Sequence, residues 1–195
     1  MEQLQKIMIE EAQVLGNSII KADSFLNHQL NVKLFNQMGQ AFRDYFQTPI
    51  DKIVTCEASG IGLACIVAQY FDCNVVFAKK ENSSLMVEDY YTEKVFSYTK
   101  QKESLFRVDK RFIHPGERIL IIDDFLANGE ALNGMISIVE QAKATVVGIG
   151  IAIEKGFQDG GERIRAHGYD LKSLVIVDRI ENNELVFRED VVTNV

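Results

Sequence analysis

The stretch RILIIDDFLANGEA, residues 118–131, joins an apolar run to two adjacent aspartates, a small loop and the start of a helix. The short apolar run predicts a buried strand over residues 118–123, with Asp123 and Asp124 at its carboxyl end. Two neighbouring carboxylates repel each other, so we expect them to face a ligand. Because open α/β sheets bind ligands outside the carboxyl ends of their strands, the stretch predicts both a fold class and the place of a site.

Three further apolar runs are short, rich in β-branched residues and without alternation, which is typical of strands covered on both faces. They are IVTC at 53–56, NVVFA at 74–78 and ATVVGIGIAI at 144–153. Helical segments of crossover length lie between strands at 61–71 and 130–142. Two amphipathic helices precede them, one over residues 4–15 and one over residues 32–46. This order predicts an α/β fold with a doubly wound, mainly parallel central sheet.

The segment over residues 81–108 interrupts the alternation, because it carries the strand-like runs VFSYT and LFRV and many charges in place of a crossover helix. Its length and polarity predict an exposed hairpin, and long excursions of this kind are usually functional lids or disordered linkers. Its aromatic residues favour a lid, since disordered segments are poor in aromatics. These residues are Tyr90, Tyr91, Phe96 and Tyr98.

Composition limits the class of protein. The 195 residues, 47% of them hydrophobic and 25% charged, suffice for one well-buried domain, so we expect a single domain over residues 1–195. The formal net charge of -7 argues against a surface that coats nucleic acid. The N-terminus lacks an apolar signal core and the longest apolar run is too short for a bilayer, which predicts a cytoplasmic protein without a membrane partner.

The cysteines and histidines suggest no metal centre or disulfide. The histidines are scattered, so no protein metal site is predicted. The three cysteines have apolar neighbours and no CxxC spacing, which predicts buried free thiols. They are Cys56, Cys65 and Cys73.

The loop after the acid pair, residues 127–131, is small and opens a helix, so its backbone N–H groups and the positive helix end point into the crevice at the strand ends. An anion at this loop and hydroxyls at Asp123 and Asp124 describe a ribose 5-phosphate. The glycine-containing turn at 57–62 suits a second anion, although such a turn is more often only a tight connection. An acid pair before a helix also occurs in many α/β proteins without this function.

The whole string of four apolar residues, two acids, two apolar residues, a small loop and a helix resembles the phosphoribosyl-diphosphate signature of type I phosphoribosyltransferases. The resemblance implies the fold of that family. It further implies that Asp123 and Asp124 are catalytic residues that hold the ribose, and that Mg²⁺ binds together with phosphoribosyl diphosphate. It also implies a homodimer and a flexible catalytic loop over about residues 81–108. The residues that it assigns to phosphoribosyl diphosphate are Ala127, Asn128, Gly129, Glu130, Ala131, Ala58, Ser59, Gly60, Lys79 and Lys80.

Three stretches extend the resemblance over nearly the full chain to the bacterial purine-salvage members that act on xanthine. They are KADSFLNHQ at 21–29, the DDFLANGEA loop and IAIEKGFQ at 151–158. The resemblance implies a hood over the purine, built from about residues 1–30 and 154–195, with Ile20, Asn27 and Lys155 contacting xanthine. The implied reaction gives xanthosine 5'-monophosphate and diphosphate.

The chemistry of xanthine agrees with this assignment. Xanthine has one more carbonyl than hypoxanthine and is more acidic, so its site needs donors or positive charge, and Lys155 supplies both. From its position alone, Lys155 is more often a solvated lysine, and it is the resemblance that favours a purine contact. Phe25, Phe35 and Phe157 fit either the core or a subunit interface.

The chain departs from the family pattern at two places in the acid loop. Ala127 stands where many members have an aspartate that handles a purine proton, so the loop supplies no general base. Glu130 and Ala131 stand where many members have Thr or Ser, so backbone donors must carry more of the phosphate binding.

Three alternatives stay open. The first is the same reaction on guanine or hypoxanthine. The second is a purine regulator that senses phosphoribosyl diphosphate without catalysis, although such regulators carry an added DNA-binding domain. The third is a generic nucleotide-binding or phospho-receiver domain, which would need its acid pair after the first strand of the sheet.

Overall fold

The computed structural model describes residues 1–81, 89–97 and 102–189. Its elements in chain order are α1 (Glu2–Glu11), β1 (Gln13–Leu15), β2 (Ile19–Lys21), a π-helical turn (Asp23–Asn27), α2 (Val32–Tyr45), β3 (Lys52–Cys56), α3 (Ser59–Phe71), β4 (Asn74–Glu81), β5 (Tyr90–Ser97), β6 (Lys102–Asp109), a 3-10 turn (Lys110–Phe112), β7 (Arg118–Leu126), α4 (Glu130–Gln141), β8 (Thr145–Lys155), α5 (Gly160–Ala166), β9 (Leu171–Glu181) and β10 (Glu184–Phe187).

The central sheet has eight strands in the order β10-β9-β8-β7-β3-β4-β6-β5. Strands β9, β8, β7, β3 and β4 are mutually parallel, and antiparallel strands flank them at both edges. The chain runs outward from β3 to β4 and in the other direction from β7 to β8 and β9, so the strand order reverses between β3 and β7. The predicted doubly wound, mainly parallel sheet is confirmed, and the crevice for a ligand falls at that reversal.

Apolar clusters cover both faces of the sheet. The first cluster packs α1, α2 and α3 on one face and includes Phe25 and Phe35, so these two phenylalanines are core residues. Phe157 is half-buried against the same cluster. The second cluster packs α4 and the β5–β6 hairpin on the other face. Because both faces are covered, β3 is buried at every position, which is why the strands read as apolar runs without alternation.

Element boundaries differ from the prediction at the end of β7 and at the end of the first helix. Strand β7 ends at Leu126, three residues beyond Asp123, because it stays paired with β8 as far as the Leu126–Glu154 register. The first helix ends at Glu11, and the rest of the predicted helix forms β1 of a separate two-stranded sheet, because the backbone turns extended at Ala12. Leu15 is consequently exposed.

The predicted excursion over residues 81–108 is in part a regular hairpin. Strand β6 pairs with β4, with Lys79 opposite Arg107, so the hairpin extends the central sheet. Residues 82–88 and 98–101, which include Tyr98, lie outside the described residues, and closure over the site stays a prediction. At the opposite edge, β9 and β10 place much of the predicted hood region 154–195 in the central sheet as well.

The three cysteines are free. Cys56 is buried and Cys73 half-buried, but Cys65 is exposed on α3, so the prediction of buried thiols is wrong for Cys65. Over the described ranges, no helix combines the length and the apolar character that crossing a membrane requires.

Candidate active site

The acid pair lies near the carboxyl end of β7, beside the place where the strand order reverses. Asp123 and Asp124 are 5% and 7% exposed. The Asp123 carboxylate accepts a hydrogen bond of 3.0 Å from the backbone N–H of Asp124 and one of 3.8 Å from the Cys56 thiol. Burial, and then the charge of Asp124, raises the pKa of Asp123 well above its ordinary value of 3.8. A ligand that brings hydroxyl donors or positive charge would relieve this penalty.

The predicted diphosphate turn is the start of a helix. Helix α3 begins at Ser59, two residues earlier than predicted, with Ala58 as its N-cap residue and no side-chain hydrogen bond at the cap. The first N–H groups of this helix are therefore available to an anion. The peptide bond between Glu57 and Ala58 is cis. The Glu57 carboxylate accepts a hydrogen bond from the backbone N–H of Lys80, which joins the turn to β4.

Gly60 brings the start of α3 against the acid pair. A Cβ at this position would overlap the hydroxyl oxygen of Thr55 and lie 2.8 Å from Asp123 Oδ1. Only glycine leaves room for so close an approach. The predicted diphosphate turn and the predicted ribose acids are therefore direct neighbours. A single ligand that carries a diphosphate on a ribose requires this arrangement.

The predicted phosphate loop lines a cavity of 220 Å³ between β7 and the β4–β6 side of the sheet. All of its residues take part: Ala127, Asn128, Gly129, Glu130 and Ala131. Gly129 is the N-cap residue of α4 and has a φ of 86°. Because glycine has no side chain, no side-chain hydrogen bond caps this helix start. A helix start with small residues and open N–H groups favours an anion such as a phosphate.

Lys79 and Lys80 are both predicted to bind phosphoribosyl diphosphate. The structure places Lys80 in the lining of the cavity beside the phosphate loop. Its Nζ lies 5.4 Å from the centre of the Phe106 ring, across from the phosphate loop. Lys79 precedes it in β4, and successive side chains of a strand point to opposite faces. Lys79 therefore projects from the other face of the strand.

Lys155, the last residue of β8, connects the sheet to the N-terminal hairpin. Its Nζ donates a hydrogen bond of 2.9 Å to the carbonyl oxygen of Ser18 and lies 5.8 Å from the centre of the Phe125 ring. Burial lowers the pKa of Lys155. Because Ser18 directly precedes β2, this contact brings the strand that carries Ile20 to the end of β8.

The other two predicted purine contacts differ in exposure. Ile20 is 6% exposed, which leaves its backbone rather than its side chain for a ligand. Asn27 ends the π-helical turn and is exposed. Leu30, a little further on, approaches α3, because a Cβ at Gly62 would lie 2.7 Å from Leu30 Cδ1. The N-terminal segment thus runs from the end of β8 to the start of α3, around the crevice.

The residues behind the phosphate loop do not stand out in the sequence patterns. Arg163 of α5 donates a hydrogen bond to the carbonyl oxygen of Asn128, and its Nη2 lies 3.8 Å from Glu130 Oε1. Gly160, at the start of the same helix, packs against the loop backbone. The adjacent glycines at 160–161 were the available signal, since a glycine pair at a helix start often marks a close backbone approach.

A buried ion pair holds α5 against β8. Glu154, 2% exposed, receives hydrogen bonds of 2.8 and 2.7 Å from Arg165 and one from the hydroxyl of Ser173. Burial raises the pKa of Glu154, but the hydrogen bonds from Arg165 and Ser173 outweigh it and hold the pKa below its ordinary value of 4.5. This network fixes the residue next to Lys155 and the helix that carries Arg163.

The donor set of the site suits a metal that comes with its substrate. Among residues 1–81, 89–97 and 102–189, no group of three or more His, Cys, Asp or Glu side chains could hold a metal ion. Asp123 and Asp124 supply carboxylate oxygens, the ligands that Mg²⁺ prefers, and Mg²⁺ usually takes its remaining ligands from water and substrate phosphates. The residues present therefore fit a magnesium ion held mainly by a diphosphate.

Comparison with known proteins identifies the class. Residues 21–185 match the model of the phosphoribosyl transferase domain, and the chain belongs to that family. The xanthine phosphoribosyltransferase of Ruminiclostridium cellulolyticum is 53% identical over 190 residues, which cover 97% of this chain and 100% of the relative. That of Clostridium novyi is 50% identical over 189 residues, which cover 96% of this chain and 100% of the relative.

A solved structure agrees with the fold. The adenine phosphoribosyltransferase of Rhodothermus marinus superposes with a TM-score of 0.71 and covers 91% of this chain and 100% of its own. The two sequences are 22% identical, so this likeness bears on the fold alone.

Proposed function

We propose that the protein transfers the 5-phosphoribosyl group of phosphoribosyl diphosphate to xanthine, giving xanthosine 5'-monophosphate and diphosphate, as a cytoplasmic homodimer in purine salvage. The observation that carries the proposal is the position of Asp123 and Asp124 between two helix starts without side-chain caps, those of α3 and α4. A substrate with an anion at each end and hydroxyls in the middle matches this arrangement. Relatives named xanthine phosphoribosyltransferase, about half identical over nearly the whole chain, support the choice of purine.

The loop at 127–131 takes the 5-phosphate through backbone N–H groups and the positive end of α4. Asp123 and Asp124 accept hydrogen bonds from the 2- and 3-hydroxyls of the ribose. These contacts orient the C1 atom of the sugar toward the purine, which removes much of the entropic cost of bringing two substrates together.

The acid pair also favours the transition state. As the bond from C1 to the diphosphate breaks, positive charge develops on the sugar ring, as in glycosyl transfer generally. Burial and the charge of Asp124 raise the pKa of Asp123 in the free protein, and this penalty on the charged form is offset when positive charge forms on the sugar beside the carboxylates. Stabilisation of this kind is stronger in the transition state than in the ground state, which is the condition for catalysis.

The leaving diphosphate lies at the start of α3. Ala58, Ser59 and Gly60 offer backbone N–H groups there, and Lys80 adds positive charge from the end of β4. Magnesium bound to the diphosphate supplies further charge neutralisation when present. Glu57, which accepts a hydrogen bond from the Lys80 backbone, holds the two parts of this subsite together.

Xanthine binds between the N-terminal segment and the end of β8. Lys155 donates to a carbonyl of the base in place of the Ser18 carbonyl, Asn27 pairs with a purine edge, and the backbone of Ile20 lines the same side. Because xanthine loses a proton more readily than hypoxanthine, the positive charge of Lys155 favours its reactive anion. The alanine at 127 is compatible with this route, since the loop then needs no general base.

The proposal is tested by incubating the protein with phosphoribosyl diphosphate, Mg²⁺ and xanthine and measuring nucleotide and diphosphate together. We expect equal amounts of both, and a loss of at least about 100-fold in rate for Asp124→Asn, the scale of removing a charge that stabilises a transition state. Tight binding of phosphoribosyl diphosphate without turnover on any purine would instead identify a sensor. Light scattering at several protein concentrations tests the homodimer.

A further inference from the structure

One peptide unit of the phosphate loop is held on two sides by α5. Arg163 donates to the carbonyl oxygen of the Asn128–Gly129 peptide. A Cβ on Gly160 would lie 2.7 Å from the carbonyl carbon of Asn128 and 2.8 Å from the nitrogen of Gly129. That Cβ would be nearly equidistant from the two atoms of the peptide bond, so Gly160, which lacks it, packs closely against this peptide while Arg163 binds its oxygen.

This arrangement sets the direction of an N–H group. The Asn128–Gly129 peptide is trans, and in a trans peptide the N–H and the carbonyl point in opposite directions. Because Arg163 binds the carbonyl, the N–H of Gly129 points away from Arg163. Gly129 lines the 220 Å³ cavity predicted to receive the 5-phosphate.

The loop also carries a charge that disfavours phosphate. Glu130 is the first residue of α4, lines the same cavity and stands where a phosphate would repel it. The Nη2 atom of Arg163 lies 3.8 Å from its carboxylate. Asp159 shares the guanidinium, with 3.5 Å between Arg163 Nε and Asp159 Oδ2, so the positive charge is divided between two acids.

We infer that Arg163 is a positioning residue for the 5-phosphate of phosphoribosyl diphosphate, acting through the loop rather than on the substrate. It holds the Asn128 carbonyl so that the Gly129 N–H stays free for the phosphate, and it offsets the charge of Glu130. The inference rests on the proposed function, because it assigns the loop to that phosphate. It also accounts for an acid in the loop where Thr or Ser would be expected.

The rest of α5 keeps the guanidinium in place. Arg165, two residues on, forms the ion pair with buried Glu154 on β8. Gly161 lies against the same carboxylate, where a Cβ would overlap Glu154 Oε1. The helix is therefore anchored to the sheet independently of Arg163, so replacing Arg163 should leave the helix in place.

The test is Arg163→Gln, compared with Arg118→Gln. Arg118 is a matched control because it is 42% exposed against 46% for Arg163, is also ion-paired, and lies at the opposite end of β7 from the acid pair. We expect Arg163→Gln to raise the KM for phosphoribosyl diphosphate about tenfold, the effect of losing one charge-assisted hydrogen bond. The kcat and the KM for xanthine should change far less, and Arg118→Gln should change none of the three.

A second variant separates the charge effect from general damage. In a Glu130→Gln background, the same Arg163→Gln change should raise the KM only about threefold, because no carboxylate is left to repel the phosphate. A fall in kcat with unchanged KM, or an equal effect in both backgrounds, would overturn the inference. Calorimetric binding of ribose 5-phosphate keeps the test independent of turnover, because a protein without transferase activity would still show the loss of affinity if the loop binds phosphate.

Discussion

The Asp123 carboxylate accepts a 3.0 Å hydrogen bond from the backbone N–H of Asp124, so the backbone of the second aspartate orients the side chain of the first. Both side chains are buried at the carboxyl end of β7. The arrangement holds two negative groups close together with little water to screen them, which is unfavourable for folding and useful for stabilising a positively charged sugar.

Replacing Asp123 by Asn should therefore stabilise the folded protein while abolishing activity. The pKa of Asp123 is raised in the folded state, so the folded state binds its proton more tightly than the unfolded chain, and the ionised form costs stability as pH rises. Asp123→Asn should raise Tm by about 3 °C near pH 8, the shift that about 1 kcal/mol produces at this size. The gain should vanish below about pH 4, where Asp123 becomes protonated in the unfolded chain as well.

Asp51→Asn is the control of opposite sign. Hydrogen bonds from Arg118 lower the pKa of Asp51, so its carboxylate contributes stability above its ordinary pKa of 3.8 that is lost as pH falls. Asp51→Asn should thus lower Tm near neutral pH. Equal Tm changes for both variants at every pH would contradict the assignment of a strained acid to Asp123.

Gly60→Ala should damage the site and Gly62→Ala should not. The new methyl group at position 60 would overlap the Thr55 hydroxyl and press on Asp123. At position 62 it would clash with the movable end of the exposed Leu30 side chain and lie at an ordinary contact distance of 3.5 Å from Phe35. We expect Gly60→Ala to cost about 1–3 kcal/mol of stability and about 100-fold in kcat/KM, the effect of a small displacement of reacting groups. Chemical denaturation and steady-state kinetics measure the two effects.

Adding Thr55→Ala to Gly60→Ala should separate those effects. The Thr55 hydroxyl is buried and has no hydrogen-bond partner in the described structure, so its removal costs little and leaves space for the new methyl group. Stability should largely return while kcat/KM stays low, because the contact with Asp123 Oδ1 remains. Full recovery of activity would show that the Asp123 contact is unimportant.

Lys155→Met should reduce the preference for xanthine. Methionine keeps the apolar contact with the Phe125 ring but removes the charged donor, so kcat/KM for xanthine should fall about 10- to 100-fold while that for guanine changes less. Lys172→Met is the matched control, because Lys172 Nζ also lies over an aromatic ring, at 5.2 Å from the centre of Tyr45, near the opposite end of the sheet. A parallel fall for both purines would argue against a role in selecting the base.

Glu154→Gln should make the protein less stable at neutral pH by about 2 kcal/mol, less than the roughly 3–5 kcal/mol of a fully buried ion pair because Arg165 reaches solvent. The pKa of Glu154 is lowered in the folded state, so the wild-type advantage is present above its ordinary value of 4.5 and is lost as pH falls below it. Thermal unfolding across this range should show the two Tm curves converging in acid. Curves that stay parallel would contradict a charged Glu154.

The sequence was sufficient where the structure depends on neighbours along the chain. The run at 118–131 places strand, acids, loop and helix in order, and the structure confirms the strand and helix it predicts. The succession of unbroken apolar runs and helical segments along the chain likewise predicts the doubly wound, mainly parallel sheet.

Contacts between residues that lie far apart in the sequence could not be predicted from it. Arg163 meets Asn128 across 35 positions, and nothing in a seven-residue helix starting with two glycines shows which loop it will pack against. The pairing of β7 with β8, which extends β7 past Asp123, is also a contact between distant residues. Lys79 and Lys80 are adjacent in the sequence, but their side chains lie on opposite faces of β4. Cys65 was assigned to the core from its apolar neighbours, but burial on a helix is decided by the face and not by the segment.

The purine assignment is decided by the specificity constant kcat/KM for xanthine, guanine, hypoxanthine and adenine, each measured with saturating phosphoribosyl diphosphate and Mg²⁺. We expect xanthine to be preferred over the next purine by at least about tenfold, the worth of one charged hydrogen bond to the additional carbonyl. A higher constant for guanine or hypoxanthine would keep the transferase chemistry and contradict the assignment of xanthine as the purine that Lys155 recognises.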